Sequence, residues 1–170
     1  MDVPTDKETA VSEPHGGAQQ TASHEEALRR QHAARGRSAI DRASALCRFV
    51  GIGDDDARAV PTSPTAKAAS AVRLSAQALA HASELPPDPA ADARCARNAA
   101  AAAAVVAKVA QSHAGPGGLA DAAYRAAVSA SLAGGYAAAQ PAMGRDEALN
   151  RKADADEAAA VAAAEAAGWM

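Results

Sequence analysis

Large apolar side chains are scarce in this chain. Leu, Ile, Val and Phe together number 21 of 170 residues, and the aromatics are four: Phe49, Tyr124, Tyr136 and Trp169. Sheets are built from β-branched and aromatic side chains packed on a pleated surface. Their scarcity excludes a β-sandwich, a β-barrel and a doubly wound sheet. Cysteine is just as sparse: Cys47 and Cys95 are too few for a disulfide scaffold. Both fall in segments of helical pattern and read as buried free thiols in a reducing cytoplasm. A secretory start is missing, since Met1 is followed by Asp2 and the first 25 residues hold neither a basic cluster nor an apolar run. Long apolar runs are missing too. The stretch 126–144 is uncharged and long enough for a bilayer, but it is made of Ala, Ser and Gly and is interrupted by Gln140 and Pro141. No membrane span is expected.

Motifs that carry chemistry are also wanting. Gly51-Ile52-Gly53 lacks the third glycine and the strand context of a dinucleotide site, and no phosphate-cradling loop occurs. No cysteine pair, histidine pair or Glu-x-x-His stands at metal-ligand spacing. His24 and His32, eight residues apart, read as two solvated side chains. Asp54, Asp55 and Asp56 lack the alternating pattern and terminal glutamate of a calcium loop, and read as carboxylates at a helix start. Neither a cofactor nor a metal is expected.

What is abundant is alanine, 54 residues of it, in a chain whose net charge is only −3. Alanine is the best helix former, and the balanced charge argues against disorder through the whole length. The fold class is therefore all-α: a small alanine-rich antiparallel bundle of about five helices. Residues 1–22 mix Pro, Gly, Gln and charges without periodicity and read as a disordered tail, leaving 23–168 as a single domain.

Stop and start signals set the helices. Ser23 with Glu26 fits a capping box for helix one, which runs to Val50 before Gly51 and Gly53, with Gly36 able to bend or split it. A short turn follows Asp54. Ser63-Pro64 opens helix two, which reaches Glu84, and Asp88-Pro89 opens helix three, which Gly115-Pro116 stops. Helix four starts near Gly118 and ends before Pro141. Helix five begins after Gly144 and ends near Gly168. In helix three, Cys95, Ala99, Ala102, Val106, Val109 and His113 recur at steps of four and three, a single-sided seam with Lys108 off it. Short loops make consecutive helices antiparallel neighbours.

Two sets of residues are candidates for function. Helix one carries Arg29, Arg30, Arg35, Arg37, Arg42 and Arg48 against Glu25, Glu26 and Asp41, a local net of +3. The plain expectation for these charges is a solvated face or pairing with the acidic C-terminal helix. A basic interaction face, for a protein partner or for phosphates, is the alternative. The second set is Cys95, His113, His81, Tyr124 and Tyr136, the polar or reactive groups on helices two to four that a pocket would draw on. Arg94 and Arg97 beside Cys95 would lower its pKa in a reactive-thiol reading. The thin core and absent catalytic motifs point to a non-enzymatic helical interaction or assembly protein with a protein partner or a second copy. A small-molecule-binding or enzymatic bundle is the first alternative, and nucleic-acid binding through helix one the second.

Overall fold

The computed structural model describes residues 15–58 and 60–170, and everything below refers to them. The chain is helical, in the order α1 (His15–Val50), α2 (Asp54–Arg58), α3 (Pro64–Glu84), α4 (Pro89–Ala114), α5 (Gly118–Ala138) and α6 (Glu147–Ala166). Five long helices and one short turn match the expected bundle, and no strand occurs among the described residues.

Local chemistry explains most boundaries. Ser63 accepts the Ala66 amide, and Asp88 accepts the amides of Ala90 and Ala91, each with proline in the first turn behind it. Asp146 does the same for Leu149. Before α2, the Gly53 amide donates to Asp56, so one of the three aspartates caps the turn as the sequence suggests. Gly115 closes α4 with a positive φ. The start of α1 differs from expectation. The helix begins at His15, so Ser23 lies inside it and forms no capping box, and 15–22 extend α1 instead of belonging to a tail. The remainder of the expected tail, 1–14, lies outside the described residues.

Gly36 does not split α1. It is where α1 crosses its neighbours: a Cβ there would stand 2.7 Å from Leu79 Cδ2 on α3 and 3.4 Å from the Ala96 Cα on α4. The cross-helix pairs give the directions. Arg29 meets Asp92, Gly36 meets Ala96 and Phe49 meets His113, so α1 and α4 are parallel. Arg35 with Asp154 and Phe49 with Trp169 make α6 parallel to them. The intervening α3 and α5 run the other way, as short connections require. Helix α4 is the centre, packed on α1, α3 and α5, and α6 completes the layout against α5 and α1.

This central position corrects the single-sided seam expected for α4. Ala93, Ala96, Ala100, Ala103, Ala107 and Ala110 are buried alongside Ala99, Ala102 and Val106, while Val109 is half-buried and His113 is exposed. Alanine on most of its circumference lets three helices approach it closely. The few large groups gather at one end. Leu46, Ile52 and Trp169 are buried there, and Phe49 packs edge-on to His113 and 6.0 Å from Trp169.

Candidate functional site

The charged face of α1 turns inward. Arg29, Arg35 and Arg42 point toward other helices, whereas Arg30, Arg37 and Arg48 are exposed. Arg29 donates to the carbonyls of Leu85 and Pro86 and approaches Asp92 at 3.4 Å, tying α1 to the α3–α4 connection. Arg35 donates to Asp154 at 2.6 Å. Arg42 grips Glu157 with both arms of its fork, Nε to Oε1 at 3.1 Å and Nη2 to Oε2 at 2.7 Å, and both side chains are nearly sealed from water, at 1% and 4% exposure. The pairing with the acidic C-terminal helix is thus realised at Arg35 and Arg42.

His32 belongs to the same seam, and this overturns its reading as a solvated side chain: it is wholly buried. Its ring is held by two partners of opposite sense. The Gly144 carbonyl, at 2.9 Å, accepts from Nε2, so Nδ1 carries the lone pair that accepts from Arg35 Nη2, also at 2.9 Å. Burial, and after it the Arg35 charge, hold the His32 pKa below its ordinary 6.5. The neutral ring is the form both neighbours want. Asn150 donates to the same Gly144 carbonyl at 2.9 Å. Gly144 itself sits at φ 79°, and a Cβ there would meet the Pro89 carbonyl oxygen at 2.2 Å, so the turn into α6 can press on the start of α4 only as glycine.

The residues expected to share a pocket do not come together. Cys95 lines an open cleft of about 490 Å³ between α1, α3 and α4, with Arg30, Arg37 and Ile40 on one wall and Leu79 on the other. Its thiol donates weakly to the Ala78 carbonyl at 3.8 Å. Burial, with the Asp92 charge after it, pushes its pKa up, the reverse of an activated thiol; the Arg94 charge opposes this only weakly. His81 is exposed beside Glu84 on α3. His113 lies at the other end of α4, roughly 27 Å from Cys95 along the helix. Tyr124 lies under the Lys108 ammonium, 5.0 Å from ring centre to nitrogen, and Tyr136 projects from α5. Among the described residues no three His, Cys, Asp or Glu side chains converge as a metal site, and no helix is long and apolar enough to cross a membrane.

A surface that the sequence reading passed over lies on the outer side of α4 and α5. Ala96 faces α1, and at about 100° per residue Val105 stands on the opposite side of α4, away from the core. Ala101 and Lys108 flank it on the same stripe. Gly134 touches Arg97 of α4, and Lys108 covers Tyr124, which sets the antiparallel register of α4 and α5. That register brings Val128 level with Val105, with Leu132 and Tyr136 on the next two turns of α5. Val105, Leu132 and Tyr136 are 43%, 58% and 65% exposed, so apolar area remains in water along the α4–α5 groove. The four-residue spacing of Tyr124, Val128 and Leu132 is visible in the sequence. Nothing there tells which side of α5 the bundle covers.

No protein-family model, curated protein or solved structure matches this chain.

Proposed function

We propose that the chain is a non-enzymatic helical interaction protein that works by protein–protein contact, with the α4–α5 groove as its contact surface. The observation that carries this reading is that three of the eight large apolar side chains exposed among the described residues, Val105, Leu132 and Tyr136, share the outer side of α4 and α5, with Val128 half-buried beside them, while most of the core is alanine. A protein so poor in large apolar groups leaves several of them in one place in water, where burial of each would contribute about 1.5–3 kcal/mol to association. The chemistry-bearing side chains favour the same reading by their engagement: His32 is bonded to Arg35, and Glu157 to Arg42, inside the fold. The free half-buried thiols of Cys47 and Cys95 fit a reducing compartment such as the cytoplasm.

Site-specific photocrosslinking in cells of the native host tests this. A photoreactive residue at Leu132 or Val105 should give discrete protein adducts, and one at Arg30 or Glu165 should not. Adducts absent at Leu132 and Val105, or equal at all four positions, would remove the reading.

A further inference from the structure

The charges around the α4–α5 groove are mostly positive. Helices α3, α4 and α5 together carry six cations, Lys67, Arg73, Arg94, Arg97, Lys108 and Arg125, and all six are exposed. Against them these helices carry three acids, each near a helix end. Glu84 pairs with His81 at the end of α3, Asp92 is buried near Arg29, and Asp121 accepts the Gln111 amide at 2.6 Å. Among the described residues none of the six cations lies within 4.0 Å of a carboxylate, whereas the arginines of α1 and α6 that pair do so with named acids. Arg94, Arg97 and Lys108 stand on the α4 side of the groove and Arg125 on the α5 side, interleaved with Val105, Val128 and Leu132; Asp121 stands at its Lys108 end, bonded to Gln111.

We infer that the occupant of this groove is an acidic amphipathic helix of a partner protein. This rests on the interaction reading above and adds the chemistry of the partner. An apolar floor between two parallel ridges accepts side chains at i, i+3 or i+4, and i+7 of a helix. From Arg94 to Lys108 the groove spans roughly 21 Å, the length of about four helical turns. The cationic rim would meet Glu and Asp on the flanks of that helix, raising the association rate and rejecting basic helices. A second copy of this chain is disfavoured by the same rim, because a face-to-face dimer would set Arg94, Arg97 and Lys108 against like charges. A nucleic-acid strand is disfavoured because Val105, Val128 and Leu132 are aliphatic and Lys108 already covers Tyr124, which leaves Tyr136 as a single open ring where successive bases would need several.

The test uses the full chain and a fluorescent synthetic 20-residue helical peptide with leucine on one stripe and glutamate elsewhere. Its controls are a twin with lysine for glutamate and a scrambled acidic peptide. Anisotropy should give at least tenfold tighter binding of the acidic helix than of either control, weakening as salt rises. Combined reversal, Arg94→Glu with Arg97→Glu and Lys108→Glu, should weaken the acidic peptide at least tenfold and bring the lysine twin into binding. Leu132→Asp should weaken it at least fivefold. All these positions are exposed, and unchanged circular dichroism and melting establish that the variants are folded. Equal binding of the lysine twin, or indifference to the reversal, overturns the inference. So does binding to phosphatidylserine vesicles without binding to the peptide, or a concentration-dependent dimer abolished by Leu132→Asp. Protein adducts at Leu132 in cells without acidic-peptide binding would overturn only the partner chemistry. Absence of adducts would remove the broader reading instead.

Discussion

Glu157→Ala should be among the most damaging single substitutions in the chain. It removes both acceptors from an Arg42 guanidinium that is 1% exposed and whose Nη1 already has no partner among the described residues. The charge cannot reach water, and among the described residues no other carboxylate stands within ion-pair distance of it. Breaking a buried pair from one side costs about 3–5 kcal/mol, a large part of the roughly 5–15 kcal/mol that holds a domain together. At about 2–4 °C per kcal/mol for a chain of this size, the melting temperature should fall by roughly 6–20 °C. Replacing both partners, Arg42→Met with Glu157→Leu, removes the charge together with its acceptor and should restore most of that loss, because an apolar pair of similar volume needs no partner. Urea denaturation followed by circular dichroism at neutral pH measures Glu157→Ala and the four corners of the cycle: the parent, Arg42→Met, Glu157→Leu and the double variant. A Glu157→Ala variant within about 1 kcal/mol of the parent, or a double variant as unstable as the sum of the singles, would refute a sealed pair.

Three further perturbations test other parts of the fold. Because His32 is kept neutral with its pKa below 6.5, the unfolded chain binds the extra proton first as pH falls. Stability should therefore be complete above pH 6.5 and decline below it, toward the lowered folded value, by at most about 1.4 kcal/mol per pH unit. Urea midpoints at pH 7.5 and 5.5 should differ in the parent and differ less in His32→Asn; an identical difference in both would dismiss His32 as the source. Gly144→Ala should lower stability by at least about 2 kcal/mol through its positive φ and the Pro89 carbonyl, and a calorimetric melt close to the parent's would contradict that packing. In α4, Val106→Ala should lower stability by roughly 1–2.5 kcal/mol and the half-buried Val109→Ala by less. Ala102→Lys should be worse than either and Lys108→Glu nearly neutral, and chemical denaturation giving the reverse order would move the α4 register.

The local signals in the sequence carried well into the fold. Ser63-Pro64, Asp88-Pro89, Asp146 and Gly115 act where they stand, because caps and stops depend on a few neighbouring residues. What was illegible depended on which helix covers which. An alanine helix presents similar faces all round, so nothing marked α4 as the centre or Leu132 as exposed. Ser23 and Glu26 have the right spacing for a cap, yet the helix runs past them to His15, since nothing between His15 and Ser23 stops it. His32 looked like one of two solvated histidines because its partners, Gly144 and Arg35, include one 112 residues away. The Arg-rich stretch drew attention as a binding face, and the fold directs its inward half to Asp92, Asp154 and Glu157. Further unpaired cations are distributed singly along α3, α4 and α5, where no local cluster announced them.

The central claim is a division of charge: Arg35 and Arg42 of α1 are sealed inside the bundle against the acids of α6, and the cations of α4 and α5 are open to water. Nitrogen-15 NMR of the arginine side chains reports it directly, with signals assigned by single Arg→Lys replacements. The Arg42 Nε–H, donated to Glu157 and sealed from water, should persist after transfer into heavy water and vanish in Glu157→Ala, while the Nε–H groups of Arg94 and Arg125 exchange at once. An Arg42 signal that exchanges as fast as those two would contradict the account.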